Sequence, residues 1–230
     1  MAAILAGGEA ARMSPGATPV EKGLAEVHGV PLIERVIVAL EGLAEKVVIV
    51  TSRPAPYSYL GLETIPDRFA GRGPLAGIDA ALHFTGQPCF VAACDMPFVS
   101  AHLAAYMVSA PGEYDAVVPH YGGYWEPTFA LYNPSATPFI RRALEAGTHT
   151  AARGARRAPH LCTAVHAVFR SIRVRPVTLR EIRMFGDERA LFSNVNEPSD
   201  LQSARGWVGA RPLTPPARPR GAAPPSSLRS

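Results

Sequence analysis

The sequence predicts an α/β protein with a mostly parallel sheet covered by helices on both faces, in three layers. Three observations carry that expectation. Short apolar runs recur without the polar alternation of a half-exposed strand. Segments of helical periodicity separate them. The residues best suited to chemistry fall just after the runs, where open α/β sheets bind ligands.

The apolar runs, in order, are AAILA (residues 2–6), KVVIV (46–50), PCFVAA (88–93), DAVVP (115–119) and TFALY (128–132). Each reads as a buried strand. Helical patterns cover residues 31–43, 75–84, 101–109 and 135–146. Pro31 suits a first helical turn, and Ser100 and Ser135 suit N-cap positions. The stretch NVNEPSDL, from Asn194 to Leu201, reads as a strand end followed by a last helix running to about Trp207. No internal repeat is present.

At 230 residues with 47% hydrophobic side chains, the chain can bury one sizeable core. The expected domain covers residues 1–209. Residues 210–230, rich in Pro, Ala and Ser, are expected to be a disordered tail. No run approaches ~18 uncharged apolar residues, which argues against a membrane helix. The first residues run straight into AAILAGG without a signal-peptide pattern, so a cytoplasmic protein is expected. Cys89, Cys94 and Cys162 have no metal-type spacing and are expected to be reduced. The formal charge is +4, but residues 211–230 hold four arginines and no acidic residue, leaving the rest neutral. The basic balance is therefore poor support for a nucleic-acid partner.

The first run ends in Gly7-Gly8. Glycines at a strand-to-helix turn let backbone N–H groups approach an anion, and a helix N-terminus adds a favourable dipole. Read alone, the pair is equally an ordinary tight turn. Arg12 and Lys22 add the cations that triphosphate chemistry needs. The spacing is neither GxxxxGK[ST] nor GxGxxG, which excludes those two phosphate-loop readings. Asp95, in CDMPF, sits directly after a buried strand, where it can meet a hard cation such as Mg²⁺ or cap the next turn. RGPLAGI (72–78) can approach a nucleotide or serve as a packing turn. The seven histidines show no metal-ligand spacing.

Taken in order, LAGG…RM…K, GPLAG, CDMPF, PTFALY and NVNEPSDL closely resemble the molybdenum cofactor guanylyltransferases, from residue 3 to about 207. The resemblance implies a Rossmann-like fold of the nucleotide-diphospho-sugar transferase type. It implies transfer of GMP from GTP to molybdopterin, or its molybdenum-loaded form, with Mg²⁺ as cofactor and pyrophosphate as second product. Molybdoenzymes or cofactor-delivery proteins would receive the product; no nucleic acid or membrane is involved. By the same resemblance Leu5, Ala6 and Gly7 lie along the guanine nucleotide, Lys22 contacts its phosphates and Asp95 holds the metal, while Gly8 and Arg12 join them through the anion-binding reading of the turn. Ser52 stands where the family often has asparagine, and Asp67 matches an aspartate near the nucleoside. Asn194 and Asn196 match asparagines near the second substrate, with Glu197 in place of a usual threonine. The loop RMSPGATPVEK is longer than the family's.

For the second substrate, residues 141–183 carry ten arginines, mostly read as a solvated face with one or two touching an anionic ligand. YGGYWEP (121–127) offers aromatic surface for a pterin, with Trp125 as lid or core contact. The rival readings are a cytidylyltransferase using CTP, another nucleotidyltransferase of this fold, and a binding protein without turnover.

Overall fold

The computed structural model describes residues 1–7, 21–69, 71–146 and 163–206. Gly8, Arg12, Cys162 and the expected tail lie outside the described residues. The elements in order are β1 (Ala2–Leu5), β2 (Glu26–Val27), β3 (Val30–Pro31), α1 (Leu32–Glu41), β4 (Val47–Val50), β5 (Glu63–Ile65) and α2 (Pro74–Thr85). Next come β6 (Cys89–Ala93), α3 (Ala101–Val108), β7 (Ala116–Tyr121), β8 (Tyr124–Trp125), β9 (Phe129–Tyr132) and α4 (Thr137–Glu145). The chain continues with α5 (Thr163–Phe169), β10 (Val174–Thr178), α6 (Leu179–Ile182), α7 (Glu188–Leu191) and α8 (Pro198–Gly206).

One sheet has the order β10-β7-β9-β6-β1-β4-β5, with β8 paired to β7; β2 and β3 form a separate hairpin. The pairs β1–β4, β1–β6, β4–β5 and β7–β10 are parallel. Strand β9 is antiparallel to both β6 and β7. Its direction follows from the short path out of β7. Gly122 (φ 55°) and Gly123 (φ 82°) make a two-residue reversal into β8, far too short for a parallel crossover.

All five apolar runs form strands. They lack alternation because both faces are covered: Ile4, Phe90, Ala92 and Val117 pack under α1 and α3, while Leu5, Cys89, Val91 and Val118 pack under α2, α4 and α5. The weaker strands escaped the periodicity reading. Strand β10 carries Arg175 and Pro176, and a proline is tolerated there because β10 is a sheet edge. Cys89 and Cys94 are buried thiols, and burial pushes Cys89 up to about 12. No helix among the described residues is long and apolar enough to cross a membrane.

The helix ends refine the local expectations. Ser100 Oγ accepts from Leu103 N and caps α3, as expected. Ser135 does not cap α4; its hydroxyl donates to Asp115 Oδ1 at 2.5 Å. Pro31 sits one position before α1 rather than within its first turn. Residues 193–196 form no strand and are held instead by hydrogen bonds to Ala190, Asp95, Asp200 and Lys22.

RGPLAGI joins an open glycine turn to a packing contact. Gly73 precedes α2 with φ 68° and ψ −165°, a region essentially restricted to glycine. Gly77 faces β1: a Cβ there would lie 2.8 Å from Leu5 Cδ2. Gly73→Ala should cost about 1–3 kcal/mol through backbone strain alone, because nothing lies within 4 Å of the added methyl. A denaturant midpoint indistinguishable from the parent would refute that conformational requirement.

The β10 edge is fastened to α3 through Glu181. Its Oε1 accepts from Tyr106 Oη at 2.5 Å and Arg175 Nη2 at 2.6 Å, and its Oε2 from Thr178 N and Oγ1 at 2.7 Å each. Burial alone would push this carboxyl up. The bonds from Tyr106, Thr178 and Arg175 outweigh burial and bring it from 4.5 down to about 2. Because the folded value lies below the unfolded one, the stabilisation is complete above about pH 4.5 and is lost as pH falls toward 2. The loss is of order 3 kcal/mol. The urea midpoint should therefore fall more steeply between pH 6 and pH 3 in the parent than in Glu181→Gln; equal slopes would exclude this network as the cause.

Candidate active site

The carboxyl ends of β1, β4, β5 and β6 form one rim. Pairing of β1 with β6 persists past the strands, since Cys94 N donates to Leu5 O at 3.1 Å. This continuation sets Ala6 and Gly7 beside Asp95. Ala6 N donates to Val50 O at 2.9 Å, so the backbone after β1 stays anchored on both sides.

Lys22 opens a 3-10 turn, Lys22–Leu24, preceded by Glu21, whose carboxylate pairs with Arg53 at 2.9 Å. That pair ties the lysine turn to the segment after β4. Lys22 Nζ lies 3.1 Å from Asp95 Oδ2 and also donates to Asn196 Oδ1. The Asp95 side chain is 14% exposed and that of Lys22 29%.

Asn196 reaches this point for two reasons. Val195 N donates to Asp95 O at 2.9 Å, and Asp200 Oδ2 accepts from Asn196 N and Glu197 N at 2.9 Å each. The Asp200 carboxylate thereby satisfies free N–H groups around the start of α8. Two segments far apart in sequence thus present a carboxylate and an amide oxygen to the ammonium of a third.

The other predicted residues spread along the same rim. Leu5 ends β1 and is buried, Ala6 is buried next to it, and Gly7 is exposed with open space where a Cβ would stand. Ser52 is exposed two residues past β4. Asp67 lies two residues past β5, and its Oδ1 accepts from Phe69 N at 2.9 Å, closing a local turn. Burial pushes the Asp67 carboxyl up, opposed by that bond and reinforced by Asp79. Asn194 is half-buried. Ser52, Asp67 and Asn194 share the rim but take no part in the Lys22–Asp95–Asn196 bonds.

Among the described residues, four arginines of the stretch 141–183 form ion pairs with carboxylates. Arg141 pairs with the fully buried Asp79 at 3.2 Å, and Arg173 reaches Asp115 at 3.6 Å. Arg175 pairs with Glu181 at 2.6 Å and Arg183 with Glu188 at 2.8 Å. Arg153, Arg156 and Arg157 lie outside the described residues. Trp125 is a core contact: its ring centroid is 4.4 Å from His120 and 5.4 Å from Phe169, on the α5 side of the sheet.

Sequence reasoning passed over Glu126. It is 5% exposed, and its carboxyl is close enough to Asp95 to feel that charge. A glutamate set between Trp125 and Pro127 in an aromatic, apolar stretch was the available signal.

The family described as MobA-like NTP transferase domain matches residues 2–179. A protein named "Probable molybdenum cofactor guanylyltransferase" from Pelotomaculum thermopropionicum is 36% identical, over 88% of this chain and 90% of its own. A molybdenum cofactor guanylyltransferase from Desulfosudis oleivorans is 28% identical, over 90% and 95%. Among solved structures, the molybdopterin-guanine dinucleotide biosynthesis protein A of Archaeoglobus fulgidus aligns with TM-score 0.69 at 27% identity, covering 89% of this chain and 96% of that one. A 2-C-methyl-D-erythritol 4-phosphate cytidylyltransferase from Thermus thermophilus aligns with TM-score 0.57 at 19% identity, over 89% and 96%, a likeness of fold alone. The chain belongs to the MobA-like NTP transferase family of nucleotidyltransferases.

Proposed function

We infer that this chain transfers GMP from GTP to molybdopterin, or to its molybdenum-loaded form, yielding the guanine dinucleotide cofactor and pyrophosphate. The observation that carries the reading is the convergence of Lys22, Asp95 and Asn196 at the carboxyl end of the sheet. The guanylyltransferase names of the relatives support the choice of donor and acceptor.

The reaction joins an oxygen of the acceptor's phosphate to the α-phosphorus of GTP and breaks the α–β bridging bond, releasing pyrophosphate. A phosphate monoester carries about −1.5 to −2 charge at neutral pH, so it needs no strong general base. It needs two anions brought into line and their repulsion offset. The open backbone at Gly7 admits phosphate oxygens closely. Lys22 supplies an ammonium that turns from Asp95 to the phosphates of the bound nucleotide. Ser52 and Asp67, on the β4–β5 side, are placed for the nucleoside.

Asp95 and Asn196 suit a Mg²⁺ ion, because two hard oxygens already converge on one cation position, now held by the Lys22 ammonium. Among the described residues no three acidic, His or Cys side chains gather into a cage. Mg²⁺ characteristically takes one or two protein carboxylates and completes its shell with substrate phosphates and water. When bound it supplies charge neutralisation at the phosphate oxygens. A GTP-consuming step of cofactor synthesis fits a cytoplasmic protein whose product passes to molybdoenzymes or delivery proteins.

Pyrophosphate release with GTP or CTP, with and without molybdopterin, tests this function. Release requiring both GTP and molybdopterin is expected. Release with CTP alone would transfer the assignment to a cytidylyltransferase, and binding without release would remove the enzymatic reading.

A further inference from the structure

Glu126 lies between β8 and β9, on the rim that carries Asp95. Its Oε1 accepts from Thr128 N at 3.2 Å and from Thr128 Oγ1 at 2.6 Å. Among the described residues Oε2 accepts no hydrogen bond, and no Lys, Arg or His pairs with this carboxyl. Burying a carboxylate without a cation costs several kcal/mol, so a purely structural turn would be better served by a neutral side chain. Burial holds this carboxyl above its ordinary range, opposed by the Thr128 bonds and reinforced by Asp95. Groups so placed concentrate at functional sites.

The backbone around it is rigidly held. Glu126 N donates to Pro119 O at 2.9 Å, Tyr132 Oη to Pro127 O at 2.9 Å, and Ala93 N to Thr128 O at 2.8 Å. Three strands therefore pin the turn, as a recognition group requires.

Strand order says which substrate it meets. The nucleotide residues follow β1, β4 and β5, on one side of β6 and Asp95, while β9 and β7 lie on the other. An acceptor whose phosphate reaches Asp95 must extend its remaining groups over β9 and β7. There Tyr121, stacked on Phe192 at 5.0 Å, feels the charge of Glu126. A carboxyl with one free oxygen repels phosphate and accepts from N–H donors. The acceptor inferred above carries its N–H donors on its pterin, and the amino-pyrimidinone edge is where two of them, N3–H and the 2-amino group, stand side by side.

We propose that Glu126 is a specificity residue for the acceptor, its free oxygen accepting from the N–H donors of the pterin's amino-pyrimidinone edge. The proposal rests on the guanylyltransferase reading.

Steady-state kinetics on the full chain test it, with the parent measured first. A parent that releases no pyrophosphate from GTP and molybdopterin overturns the functional reading, and this proposal with it. With an active parent, Glu126→Gln keeps the shape and an oxygen for Thr128 but turns the free acceptor into a donor. The molybdopterin KM should rise at least tenfold, with the KM for GTP and the Mn²⁺ affinity of the nucleotide-free protein changed less than twofold. A role confined to the turn predicts an unchanged acceptor KM, which would overturn the proposal. Weakened Mn²⁺ binding would overturn it in favour of a metal ligand.

Discussion

Asp95→Asn should lower pyrophosphate release by ~10³-fold or more, about 4 kcal/mol of transition-state stabilisation, without unfolding the protein. The amide matches the carboxylate in shape but lacks the charge that draws a divalent cation to the end of β6. The fold should survive because the backbone bond from Val195 N to Asp95 O does not involve the side chain. Lys22 loses its ion-pair partner but retains Asn196. Far-ultraviolet circular dichroism and the thermal midpoint should stay close to the parent, while Mn²⁺ binding disappears. Turnover near that of the parent would end the metal assignment.

The second large effect is expected at Lys22. Lys22→Met keeps the aliphatic stem and removes the ammonium, so kcat/KM for GTP should fall by roughly 10²- to 10³-fold, as when a preorganised donor to a developing anion is lost. A second readout has the opposite sign. In the nucleotide-free protein the ammonium lies 3.1 Å from Asp95 Oδ2 and competes with a cation for that oxygen. Removing it should tighten Mn²⁺ binding several-fold, the scale of a partly exposed ion pair. Weaker Mn²⁺ binding, or an unchanged kcat/KM, would contradict the placement of Lys22 between metal position and phosphates.

The same lysine marks the limit of local reasoning. Its charge after the glycine turn and the family resemblance made it a candidate phosphate ligand, yet its partners stand 73 and 174 residues further along the chain. Those contacts exist because β1 and β6 are neighbours and because Asp200 and the Asp95 carbonyl fix the segment ahead of α8. The arginines of residues 141–183 show the same dependence. Their number suggested a mostly solvated cationic face with one or two arginines touching an anionic ligand, but carboxylates pair with Arg141, Arg173, Arg175 and Arg183.

From the sequence alone came the α/β class, the five principal strands, the helices between them and the residues set just past the strands. These are local properties, legible because strands buried on both faces must be apolar throughout and because ligand-binding turns follow strand ends. Only the tertiary structure decided the burial of Glu126, the packing of Trp125 against the core and the meeting of Lys22 with Asp95 and Asn196. Each depends on strand order and register, which join distant segments and leave no periodic trace in any one of them.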